Sequence, residues 1–171
     1  MKKVLLLSAI FILCAPFSWV GADEIAPGDA KVACSLNNFF CATSDPQSKV
    51  TTVYRRRAGG VKEALWSMSG YFPVIFLSND GEYIVTGFSA GGVLPLNYKP
   101  TQVLLSFFDR GRLINEVRLN ELVRDLSKMP KVSDQYHWGG YLGLNADDHF
   151  TVQIFDQSWA LFDAKTGQPI K

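Results

Sequence analysis

Histidine is nearly absent from this chain: His137 and His149 are the only two among 171 residues. A zinc site usually draws on three or four His, Cys or acidic ligands, so a metal centre and a metal cofactor are not expected. Cysteine is scarce as well. Cys14, Cys34 and Cys41 are too few for a disulfide-dense scaffold. An excess of one charge is missing, with 17 basic against 16 acidic residues. Nucleic-acid affinity comes mainly from phosphate neutralisation, so a nucleic-acid partner is not expected. The one basic run, Arg55-Arg56-Arg57, would alternate between the two faces of a strand and form no dense patch. It is expected to be a solvated strand end.

Catalytic signatures are missing too. Ser89-Ala90-Gly91-Gly92 follows a strand-like run but lacks the Gly-x-Ser-x-Gly pattern of a nucleophile turn. Asn79-Asp80-Gly81 lacks the alternating acids and closing glutamate of a calcium loop. A pair of glycosidase carboxylates is defined by its separation in space, so 16 acids single out no pair. No catalytic residue and no cofactor follow from the sequence, which leans towards a non-enzyme.

What is present begins at the N-terminus. Met1-Lys2-Lys3 is a positive start, Val4 to Ala15 is an apolar run, and Val20-Gly21-Ala22 supplies small residues. That is the grammar of a signal peptide, 1–22, cleaved after Ala22. Pro16 and Ser18 interrupt the apolar run, and a spanning helix needs about 20 largely apolar residues. Leu13 before Cys14 fits a lipoprotein signal badly. Two of the basic residues and none of the acidic ones lie in 1–22, so the remaining chain carries a formal charge of −1. A periplasmic or secreted address follows, with no stable membrane span after cleavage.

In that compartment Cys34 and Cys41 can pair. The spacing is not CxxC, and a structural bridge is expected over a redox site. The surrounding segment, 23–48, holds Pro27-Gly28, Asn37-Asn38 and Asp45-Pro46 and reads as a disulfide-stiffened leader. Residues 49–171 read as a single β-rich domain.

Aromatics make up 13% of the chain, and they fall with β-branched residues in short runs between Gly, Asp, Asn and Pro. This is the composition of strands and turns. Strand runs are expected at Val50 to Arg56, Val61 to Met68, Tyr71 to Leu77, Glu82 to Phe88, Gln102 to Phe108, Arg112 to Arg118, Tyr141 to Leu144, His149 to Phe155 and Trp159 to Phe162. Asp80-Gly81 and Asp109-Arg110-Gly111 mark hairpins, and Pro73 delays its strand. Leu119, Leu122, Val123 and Leu126 repeat at helical spacing, so one flanking helix is expected over Leu119 to Lys128. Trp66, Ile75, Ile84, Val85, Leu104, Phe108, Leu122, Val152, Phe155 and Phe162 are the expected core.

Two stretches echo each other. Leu77-Ser78-Asn79-Asp80-Gly81-Glu82-Tyr83-Ile84-Val85 parallels Leu144-Asn145-Ala146-Asp147-Asp148-His149-Phe150-Thr151-Val152, and Phe107-Phe108-Asp109-Arg110-Gly111 parallels Leu161-Phe162-Asp163-Ala164-Lys165-Thr166-Gly167. Each runs strand, acidic turn, strand, then Phe-Asp and a glycine turn. This resembles the blade repeats of β-propellers, a likeness that implies fold and not function. A closed propeller needs at least about four blades. The expectation is a mainly β fold: a compact antiparallel meander or sandwich of about seven to nine strands with one flanking helix, blade-like in its internal echo and short of a complete propeller.

The stretch Tyr136-His137-Trp138-Gly139-Gly140-Tyr141 is the most site-like. Loop aromatics offer large contact area at low entropic cost, so Tyr136, His137, Trp138 and Tyr141 are the expected binding residues. The alternative is that Trp138 and Tyr141 plug the end of a sheet. The expected function is that of an exported, non-enzymatic protein that binds another protein or other macromolecule of the cell envelope, as an inhibitor, an immunity factor or an accessory subunit would. A hydrolase of envelope glycans or peptides, and a small-ligand binder with an aromatic cleft, are the alternatives.

Overall fold

A computed structural model of the protein describes residues 28–170; the expected signal segment 1–22 lies outside them. The fold is mainly β, built from antiparallel sheets of three and four strands, with no closed barrel among the described residues. Three meanders follow one another along the chain. The first runs β1 (Lys31–Cys34), β2 (Phe40–Asp45), β3 (Val50–Arg56) and β4 (Lys62–Ser69), hydrogen-bonded in that order. The second runs β5 (Ile75–Leu77), β6 (Tyr83–Gly87), β8 (Val103–Asp109) and β9 (Arg112–Arg118). The third runs β12 (Gly139–Leu144), β13 (His149–Ile154) and β14 (Trp159–Asp163). A small sheet joins β10 (Lys131–Val132), β11 (Gln135–His137) and β7 (Val93–Pro95).

Fourteen strands among the described residues divide the chain more finely than the sequence runs suggest. Two were missed in 23–48. That segment supplies β1 and β2, and β2 pairs with β3 at all six of its positions. The boundary drawn at residue 48 therefore falls inside a hairpin. Ala42 and Ser44 are buried there, so polar and small residues masked a true strand. The disulfide Cys34–Cys41 does form, and it ties β1 to β2 across a directly opposed pair.

The second sheet is covered on both faces, because side chains alternate along a strand. Ile84 joins Ala42, Val53, Met68, Ile75 and Leu77 in one core. Its neighbour Val85 joins Leu105, Phe107, Trp138, Phe150 and Phe162 in the other. Of the expected core, Trp66, Phe108 and Phe155 are half-buried and the remainder buried.

The helix is shorter than its apolar repeat. Helix α1 covers Leu119–Leu122, and the chain extends at Val123 before a 3-10 turn at Leu126–Lys128. Asp125 starts that turn by accepting the Ser127 N–H on its Oδ1 at 3.1 Å. Leu119, Leu122 and Val123 are still buried. Burial was thus legible, while a capping aspartate in mid-run cut the helix in two.

Candidate functional site

Within the run 136–141, Trp138 is buried and Tyr141 half-buried against it, the arrangement of the alternative in which the two plug the end of a sheet. Trp138 is 0% exposed. Its indole N–H donates to the Gly91 carbonyl at 2.9 Å, and its backbone N–H donates to Gly92 O at 3.0 Å. The Tyr141 hydroxyl accepts the Phe88 N–H at 2.7 Å and donates to Leu104 O at 3.1 Å. Burial pushes that hydroxyl well above the ordinary tyrosine range. Tyr136 is half-buried edge-on against Tyr98, and His137 is half-buried in β11. Nor does Gly139 bend the chain to present a surface. A Cβ on Gly92 would sit 2.0 Å from the Gly139 carbonyl oxygen, so the two glycines let backbones meet over the indole.

His137 and His149 sit in different strands, β11 and β13. Among the described residues no three His, Cys, Asp or Glu side chains come together in a metal-binding group.

A cleft of about 590 Å³ opens elsewhere, between β9 and β14. Asn115, Glu116 and Val117 line one wall; Ala160 and Phe162 line the other, and the exposed Trp159 stands at its rim. The Asn115 Nδ2–H donates to the Gly167 carbonyl at 2.6 Å and ties the walls together through the turn after β14. Helix α1 adds Glu121 and Leu122, and Arg124 and Asp156 complete the charged lining. Trp159 is 67% exposed, the most exposed of the large hydrophobic side chains among the described residues. In the sequence Trp159 reads only as a strand residue. Period 2 held the missing signal: Ala160 and Phe162 pack on the core, so Trp159 belongs to the opposite face.

The cleft is anionic. Hydrogen bonds from the Ser158 hydroxyl and N–H, helped by Arg124, hold the Asp156 carboxyl below the usual carboxylate range. Glu121 Oε2 accepts the Arg118 N–H at 2.6 Å. An exposed indole beside carboxylates suits a cation, which is attracted by both the ring face and the charge.

No protein-family model and no curated protein matches this chain. A solved structure of a putative 6-phosphogluconolactonase from Bacteroides fragilis aligns at 13% identity with a TM-score of 0.41. The alignment covers 82% of this chain and 36% of that one, so the chain spans about a third of that protein's length. A likeness at this level carries nothing about activity.

Proposed function

We infer that this is an exported, non-enzymatic binding protein of the cell envelope, and that the β9–β14 cleft receives an extended segment of another protein. The carrying observation is Trp159, held 67% exposed at the edge of a cleft of about 590 Å³. Tryptophan is enriched among the few side chains that dominate protein interfaces. The surrounding Glu116, Glu121 and Asp156 against Arg124 favour a segment carrying lysine or arginine. Hydrolysis by two carboxylates fits this cleft less well. Such chemistry needs one carboxyl with a raised pKa, whereas Asp156 is pushed down and Glu121 is engaged with backbone.

Pull-down from the native host's envelope fraction, with wild-type protein and Trp159→Ala, tests this reading. The variant should lose the captured protein by at least about tenfold. Equal capture by both proteins would overturn the assignment of the cleft.

A further inference from the structure

A second surface lies at one end of the first sheet, apart from the cleft. The loop 35–39 between β1 and β2 holds Leu36 at 61% and Phe39 at 63% exposure. Its backbone is firmly fixed. The Cys34–Cys41 bond closes its base. Asn37 Oδ1 accepts the Ser35 hydroxyl at 2.7 Å and the Phe39 N–H at 3.0 Å. Asn37 also reaches the turn after β5, where its Nδ2–H donates to Asn79 O at 2.7 Å and its N–H to Asn79 Oδ1 at 3.1 Å. A disulfide and four side-chain hydrogen bonds therefore hold two apolar side chains out in water. Preorganisation of this kind lowers the entropic cost of covering them.

Cationic residues follow on the strand ends next to this loop, Lys62 with its ammonium 4.6 Å over the Tyr54 ring. Arg55 stands opposite Phe40 with its guanidinium 5.3 Å from the ring centroid. The Arg56 N–H donates to the Phe39 carbonyl at 2.8 Å, which places this arginine at the loop. The Arg57 N–H donates to Val61 O, and Val61 is itself exposed beside Lys62. The acid among them, Glu63, is occupied by Arg57 at 2.7 Å. On the adjoining turn, Asp80 Oδ1 accepts from Ser78 and from the Glu82 N–H, and Glu82 is paired with Arg110. The run Arg55-Arg56-Arg57, expected to be a plain solvated strand end, thus reaches Phe39 through Arg56 and Val61 through Arg57.

We propose that this end of the first sheet docks on an anionic phospholipid surface, with Leu36 and Phe39 entering the acyl boundary and Arg55, Arg56 and Lys62 meeting headgroup phosphates. Two features favour lipid over a protein partner. The apolar residues project from a hairpin tip, a convex shape that a fluid interface accommodates without a matching pocket. The cations flank that tip, as in interfacial segments whose apolar side chains insert while basic ones stay at the headgroups. Contact of this sort is peripheral, and no helix among the described residues is long and apolar enough to cross a membrane.

Vesicle co-sedimentation of the product the cell makes, its first residue fixed by mass, is the test. Wild-type protein is compared with the Leu36→Ser/Phe39→Ser double variant and with Arg56→Glu. Each is added to vesicles of phosphatidylcholine alone, or with about one-third phosphatidylglycerol. Wild type should prefer the anionic vesicles, and raising salt from about 0.1 M to about 0.5 M should weaken binding. Both variants should bind them at least about tenfold less, with unchanged melting temperature, because the altered side chains already stand in water. Equal binding to both vesicle types, or binding by the double variant equal to wild type, would overturn the proposal. So would absence of vesicle binding, whether the patch is instead buried in a dimer seen by sedimentation or covered by a captured acidic protein.

Discussion

The backbone N–H of Asn79 donates to Asp148 Oδ1 at 2.9 Å, joining the turn after β5 to the turn after β12. Asn37 bonds Asn79 from the other side. One chain of polar contacts therefore stitches all three meanders together at one end. Asp148 is buried with φ +59°, a conformation that Asp and Asn tolerate better than other L-residues.

Removing that acceptor should be costly. Asp148→Ala would leave the Asn79 N–H without its partner and put alanine in a left-handed conformation. A loss of about 1–3 kcal/mol is expected from the unpaired group. Asp148→Asn keeps both an oxygen and the backbone preference, so it should cost clearly less. Urea unfolding of the two variants checks the order.

The aromatic run should behave as core. Trp138→Ala is expected to cost about 3–5 kcal/mol. Tyr141→Phe removes the hydroxyl that bonds Phe88 N–H and Leu104 O, but these two also bond each other at 2.9 Å, so a loss of only about 0.5–1.5 kcal/mol is expected. Burial raises the Tyr141 pKa, so the native state keeps this proton above about pH 10 while the unfolded chain releases it. Tyr141 therefore favours the native state less as pH climbs past the unfolded value. An ultraviolet titration should show one tyrosine of the folded protein failing to ionise in the ordinary range.

The Cys34–Cys41 bond closes a short loop, with a sequence separation of 7. By the chain-entropy account, Cys34→Ala/Cys41→Ala should lose about 2–3 kcal/mol. Alkylation of the native protein without reductant should label neither position.

Asp156 offers a local test of the cleft's charge. Its titration midpoint, followed by carboxyl-carbon NMR, should lie below the usual value of about 3.9, because Ser158 bonds the ionised form. Ser158→Ala should move the midpoint up. Since the folded pKa is depressed, its contribution is present above the unfolded pKa and fades as pH falls through the folded one. Binding through the cleft should accordingly be insensitive to pH from neutrality down to about pH 5 as far as Asp156 is concerned.

Fold class was legible because alternation and turn chemistry are local. Asp80-Gly81 and Asp109-Arg110-Gly111 turn where their glycines, at φ +76° and +84°, permit it. Short pairings were not legible. Val93–Pro95 is paired by β11, some 40 residues later, and nothing local in Val93-Leu94-Pro95 announces that. The site was hidden for a related reason. Aromatic density marked Trp138, but density cannot tell a packed indole from a displayed one. The decisive facts, Gly91 and Gly92 folding over Trp138 and β9 standing opposite Trp159, are long-range.

Photo-crosslinking from position 159 shows whether another protein occupies the β9–β14 cleft. A photoreactive residue replaces Trp159 in the native host, with Leu142, also exposed, as the control position outside the cleft. The account predicts one predominant protein adduct from position 159 and none from 142. Absence of an adduct at 159, or the same adducts from both positions, would contradict it.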